Sequence, residues 1–139
     1  MLRLMSGEPD GKKTTIMVVD DFTDGREMFA EYLEFVGFDV VTAKDGNEAI
    51  AMARGSKPDV ILMDLSLPLL DGWEATRILK GDDETKHIKV VALTGHVMGA
   101  HQREAAEAGC DDFVSKPAIP QEVEVKIRAL LKGKGPLKP

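Results

Sequence analysis

Disulfide bonding is the first thing the sequence excludes. Its 139 residues contain one cysteine, Cys110, and a single thiol has no internal partner, so no oxidising compartment is implied. Cations are also scarce: 18 Lys and Arg face 24 Asp and Glu, a net charge of −6. Such a chain has no surplus of basic residues with which to neutralise phosphates and release counterions, which argues against a nucleic-acid partner. Long hydrophobic runs are missing, and stretches of a few apolar residues fall far short of the roughly 20 that a membrane helix needs. Met1 to Lys13 lacks the continuous apolar segment of a secretory signal. No internal repeat is visible. Against these absences stand 43% hydrophobic and 30% charged residues, ordinary values for a globular domain. The length suits one such domain. The expectation is a soluble, cytoplasmic domain over residues 15–131. Residues 1–14 and 132–139, rich in Gly, Pro and Lys, form a flexible leader and tail.

Within that span two kinds of segment alternate. Short apolar runs occur at Ile16–Val19, Phe38–Val41, Val60–Met63, Val90–Leu93 and Phe113–Val114. Between them apolar residues recur at helical spacing. Met28, Phe29, Tyr32, Leu33 and Val36 make one stripe, and Ala49, Ile50 and Ala53 a shorter one. Trp73, Ala75, Ile78 and Leu79 make a third, and Met98, Ala105, Ala106 and Ala108 a weak fourth. Val123, Ile127, Leu130 and Leu131 make a fifth. Gly37, Asp45-Gly46, Gly55 with Pro58, Asp71-Gly72 and Gly109 supply starts and stops. Five strand-then-helix repeats predict an α/β domain, a parallel sheet covered on both faces. Runs 1, 3 and 4 do not alternate with polar residues, as suits central strands buried on both sides. Phe38-Asp39-Val40-Val41 carries a polar residue and suits an edge. Right-handed crossovers then favour the doubly wound order 2-1-3-4-5.

In sheets of this kind ligands gather at the carboxyl ends of the strands, where strand order reverses. The residues that follow the runs are Asp20 and Asp21, then Asp64, then Thr94, then Ser115, Lys116 and Pro117. The proposed order makes strands 1, 3, 4 and 5 neighbours, so three carboxylates, a hydroxyl and an ammonium converge on one rim. Three clustered carboxylates repel and raise at least one pKa. A hard divalent cation such as Mg²⁺ (or Mn²⁺) removes the conflict, because it takes carboxylate, water and phosphate oxygens. An Asp64 kept ionised in this way can act as a nucleophile toward phosphorus. Lys116, a compact charge on a flexible stem, and the Thr94 hydroxyl can then meet the oxygens of a moving phosphoryl group.

These segments together resemble the receiver domain of two-component response regulators. The matching pieces are Ile16-Met-Val-Val-Asp20-Asp21, Val60-Ile-Leu-Met-Asp64-Leu-Ser-Leu-Pro-Leu-Leu-Asp-Gly72, Val90-Val-Ala-Leu-Thr94-Gly95 and Phe113-Val-Ser-Lys116-Pro117. Any one of them is weak; all four, in order and each behind an apolar strand, are specific, and they cover Thr15 to Leu131. The resemblance implies a flavodoxin-like (βα)5 fold and a set of roles. Asp64 is the phosphoacceptor. Asp20, Asp21, Asp64 and the backbone carbonyl of Ser66 hold Mg²⁺. Lys116 binds a phosphoryl oxygen and forms a cis peptide with Pro117. Thr94 and Phe113 form the switch, in which the hydroxyl moves to the new phosphoryl group and the ring fills the vacated space. Pro68 and Gly72 match the family's loop. A ring without a phenolic hydroxyl leaves the change at position 113 to packing alone. The implied donor is a histidine kinase or a histidine phosphotransfer protein. The output is a protein target met by the fourth and fifth helices and the fifth strand, with a phosphorylation-dependent dimer as one form. The resemblance further implies a stand-alone regulator rather than an enzyme with a separate substrate.

Other readings fit less well. Gly7 to Thr14 has the wrong spacing for a Walker loop and no strand before it. Asp20, Asp24, Gly25 and Glu31 fall at EF-hand offsets, but Phe22 occupies a ligand position. Asp20-Asp21 would repel a flavin phosphate. A phosphatase of the haloacid-dehalogenase type needs a second carboxylate two residues after its nucleophile, where Asp64 is followed by Leu65-Ser66. A degenerate receiver that only binds protein remains the alternative, and the intact acidic set speaks against it. His87, His96 and His101 share no ligand spacing; His96, two residues after Thr94, is a candidate for tuning phosphoryl lifetime. Trp73 is read as packing, Asp71-Gly72 as turn chemistry and Cys110 as a small hydrophobe near the fifth strand.

Overall fold

Strand β1 (Thr15–Val19) is apolar and buried from Ile16 onward because both of its faces are covered. A computed structural model describes residues 13–65, 70–95 and 107–132. Within them the elements follow as β1, α1 (Thr23–Phe35), β2 (Asp39–Ala43), α2 (Gly46–Ser56), β3 (Val60–Asp64), α3 (Gly72–Lys80), β4 (Lys89–Thr94), β5 (Asp112–Ser115) and α4 (Pro120–Leu131). All strand pairs are parallel, and the order is β2-β1-β3-β4-β5, as expected from the sequence. The weak fourth helical stripe falls largely outside the described residues, so α4 corresponds to the fifth. Among the described residues no helix is long and apolar enough to cross a membrane.

Alternate side chains of the central strands enter two separate cores, which explains the missing polar alternation. Met17, Val19, Ile61, Met63, Val90 and Ala92 pack under α2 and α3. Ile16, Val18, Val60, Leu62, Val91 and Leu93 pack under α1 and α4, against Phe29, Leu33, Val123 and Ile127. A hydrogen-bonded chain adds to the second layer. The Tyr32 hydroxyl donates to Glu124 Oε1 at 2.6 Å, and Arg128 Nε donates to Glu124 Oε2 at 2.8 Å. Arg128 also reaches the Val36 carbonyl at 3.1 Å, where α1 ends, and covers the Phe38 ring. It thus meets the negative end of that helix.

Two boundaries differ from the sequence reading. The second apolar run is displaced: Phe38 is buried beside Leu33 before the strand begins, and β2 runs on through Thr42 and Ala43. Helix α2 continues through Gly55 to Ser56, and the left-handed residue that ends it is Lys57 at φ 46°. Proline sets that stop, since the Pro58 ring disfavours helical backbone at the residue before it.

Candidate metal centre

Two neighbouring strand ends, those of β1 and β3, supply the carboxylates of the site. Asp20 follows β1 and is buried, Asp21 beside it is exposed, and Asp64 is the buried last residue of β3. One carboxylate oxygen from each lies within 4.8 Å of the others. The donor set is all oxygen, with no imidazole or thiolate, which suits a hard divalent cation such as Mg²⁺.

Local contacts hold the two buried carboxylates in place. Asp20 donates its N–H to the Ala43 carbonyl at 3.1 Å, which carries the β1–β2 ladder one step past the strand. Its Oδ1 accepts from the Phe22 N–H at 2.9 Å. This Asx-type turn lifts the chain off the sheet and into α1. Burial pushes the Asp20 carboxyl above the ordinary carboxylate range. The Asp64 charge adds to that rise, while the Phe22 N–H and the Lys116 charge oppose it. A cluster that resists full ionisation alone is one that a cation would relieve.

Asp64 is fixed from behind. The N–H of Leu65 donates to Leu93 O at 3.0 Å. Across the loop, α3 begins at Gly72, where a Cβ would lie 2.4 Å from the Asp64 carbonyl oxygen and 2.8 Å from Leu65 Cα. Only glycine fits so close an approach. Asp71 caps the same helix by accepting from the Glu74 N–H at 2.9 Å. The pair read from the sequence as turn chemistry therefore caps α3 and supports the backbone of Asp64.

The positive partner comes from beyond β5. Lys116 Nζ donates to Asp64 Oδ1 at 3.0 Å. Its backbone N–H donates to Thr94 O at 2.8 Å, and its peptide with Pro117 is cis. Thr94, buried, ends β4 and pairs with Ser115, one step past the Asp64–Leu93 pair. Phe113 pairs with Ala92 and is half-buried against the α2–α3 core. A cleft of about 420 Å³ opens over the group, lined by the three aspartates and Lys116 with Phe22 and Met28 at its apolar edge.

The structure therefore brings Asp20, Asp21, Asp64 and Lys116 together, with Thr94 on the adjoining strand end. Ser66, Pro68, His96 and His101 lie outside the described residues; His87 is exposed. Sequence reasoning passed over Arg26, whose Nη1 donates to the Asp20 carbonyl at 2.8 Å. The signal was present: a cation in the first turn of a helix opposes the macrodipole and calls for a specific partner.

The profile of the response regulator receiver domain matches residues 16–128. The chain is 36% identical over 111 residues to the polar-differentiation response regulator DivK of Brucella anthropi, covering 79% of this chain and 90% of the relative. Among solved structures it is similar to a LuxR-family two-component response regulator from Aurantimonas sp., with 34% identity, a TM-score of 0.81, and 92% and 91% of the two chains covered. The chemotaxis response regulator CheY4 of Vibrio cholerae aligns at 26% identity and a TM-score of 0.81, covering 86% of this chain and 99% of that one.

Proposed function

The chain belongs to the response regulator receiver family, and from that premise we propose that it accepts a phosphoryl group on Asp64 from a phosphohistidine of a histidine kinase or histidine phosphotransfer protein. A carboxylate oxygen of Asp64 attacks phosphorus, forming an acyl phosphate P–O bond. The P–N bond to the donor imidazole breaks, and the imidazole leaves with the bonding pair and takes up a proton. Asp20, Asp21 and Asp64 would hold Mg²⁺ (or Mn²⁺), which supplies positive charge to the phosphoryl oxygens when bound. Lys116, already 3.0 Å from Asp64 Oδ1, exchanges that carboxylate for a phosphoryl oxygen as charge moves outward. The Thr94 hydroxyl donates to another oxygen. Its shift leaves space for Phe113, and β5, α4 and the segment before β5 present the altered surface to a protein target. The chain in this reading does chemistry on itself and turns over no separate substrate beyond its phosphodonor.

The observation that carries the reading is the convergence of three carboxylates and one ammonium at the carboxyl ends of neighbouring strands. Incubation with acetyl phosphate and Mg²⁺, followed by intact mass, tests it. The protein should gain one phosphoryl group, and Asp64→Ala should abolish the gain. A gain that persists in Asp64→Ala moves the acceptor elsewhere. Absence of any gain, from the cognate kinase as well, together with no binding of beryllofluoride, leaves only a binding module.

A further inference from the structure

Arg26 sits where the helix macrodipole alone would not put a cation. It lies in the first turn of α1, near the positive end of the helix macrodipole, and beside a site read above as a cation site. Yet its guanidinium turns back to that site. Nη1 donates to the Asp20 backbone carbonyl at 2.8 Å, and Nη2 reaches Thr23 Oγ1 at 3.5 Å. Among the described residues, both of these bonds go to neutral oxygens, which leaves the carboxylates to one another, to Lys116 and to a metal.

Asp20 is the residue at which the chain leaves the end of β1. Its N–H is tied to β2 through Ala43 O. Beyond that bond nothing in the sheet, among the described residues, holds the main chain, and a rotation about the Asp20 N–Cα bond would carry the Asp20 side chain and Asp21 together. Three carboxylates without a cation repel, and the loop that carries two of them would relax outward. With Arg26 on the Asp20 carbonyl and the Phe22 N–H on Asp20 Oδ1 at 2.9 Å, the loop is tied at backbone and side chain alike. Gly25 gives the carboxylate its room, since a Cβ there would lie 2.9 Å from Asp20 Oδ2.

We propose that Arg26 is a positioning residue for divalent-cation binding: by holding the Asp20 carbonyl it keeps the Asp20-Asp21 loop closed over Asp64 before any cation arrives. The inference rests on the reading of the acidic cluster as a metal site. Its consequence has a distinctive sign. Removing a positive charge beside a cation site strengthens cation binding if charge is all that matters. Removing a support weakens it.

The test is Mn²⁺ affinity of the whole chain, from the electron paramagnetic resonance signal of free Mn²⁺, with circular dichroism to show that each variant is folded. Arg26→Met should bind Mn²⁺ about ten-fold more weakly, the order of one hydrogen bond made by a charged donor. Arg26→Lys, which keeps the charge and one donor, should fall between it and the parent. Folded Arg26→Met that binds as tightly as the parent, or more tightly, overturns the proposal. Should Arg26→Met fail to fold, Arg26→Lys decides: weaker binding supports the role and equal binding overturns it. A parent that binds no Mn²⁺ removes the metal reading itself, and the proposal with it.

Discussion

Asp20→Asn should stabilise the metal-free protein and weaken its response to metal. The replacement is isosteric, and its side-chain oxygen can still accept from the Phe22 N–H, now 2.9 Å from Asp20 Oδ1. What it removes is a charge within 4.8 Å of two others. At that separation two like charges repel by about 3.5 kcal/mol at an effective dielectric constant of 20, and by about 0.9 kcal/mol in water. Asp20 and Asp64 are buried and Asp21 is exposed, so the pairs lie between these limits. Lys116 already offsets part of the Asp64 charge. A net relief of about 1–2 kcal/mol follows, to which the new amide adds a donor facing Asp64. For a chain of this size it amounts to a rise of roughly 3–6 °C in Tm. A cation that binds only the native state adds about 2.7 kcal/mol at a hundred times its Kd. The variant, with one candidate ligand carboxylate fewer, should gain less from the same concentration. Urea unfolding in EDTA and in millimolar Mg²⁺ should therefore cross: the variant is more stable without metal, and its advantage shrinks or reverses with metal. A variant less stable than the parent in EDTA would show that the carboxylates do not strain the apo site, and the reasoning would fail.

Three further outcomes follow from groups away from the rim. Lys80 Nζ donates to Asp111 Oδ2 at 2.9 Å and to Ile88 O at 2.8 Å, while the same Asp111 oxygen accepts from the Val90 N–H at 2.8 Å. Lys80→Met keeps the apolar stem but orphans a carbonyl and half of a partly buried ion pair, and should cost about 2 kcal/mol in urea unfolding; a loss within experimental error would place the pair among the inconsequential surface contacts. The Cys110 thiol is pushed up to about 11 from an ordinary 9.0, chiefly by burial, with the Asp111 charge adding to the rise. A raised folded pKa means that this contribution to stability is intact below pH 9.0 and is lost as pH climbs through about 11. Cys110→Ala should therefore flatten the alkaline limb of the stability profile, and an unchanged limb would assign it to other groups. At neutral pH Cys110 should react with a maleimide far more slowly in the folded than in the urea-unfolded chain.

The sheet was legible because its central strands are covered twice. A run such as Val60-Ile61-Leu62-Met63, with every residue buried, admits few readings, and the polar Asp64 at its end then reads as chemistry. Once strand order was fixed, the rim followed, because the order decides which strand ends are neighbours. Edges were less legible. Phe38 and Val40–Val41 look like one apolar run, yet Phe38 belongs to the core under α1 and the strand starts after it. Composition does not say whether an apolar residue at a boundary is the last of a turn or the first of a strand; packing does.

Several contacts that sequence reading missed around the site and the sheet share one property: the partner is a backbone atom. Arg26 meets the carbonyl of Asp20, Gly72 the carbonyl of Asp64, and Lys80 the carbonyl of Ile88. A carbonyl has no letter in the sequence, so charge pairing and motif spacing pass over it, whereas the carboxylates and Lys116 announce themselves by type. The same fact bears on how the site works. On the proposed function the carboxylates accept a cation and a phosphoryl group, and Asp20 Oδ1 in addition accepts from the Phe22 N–H and so helps to tie its own loop. The rest of the anchoring grips the main chain from side chains outside the proposed chemistry, and substitutions that weaken the site without touching its carboxylates should therefore concentrate at positions such as Arg26 and Gly72.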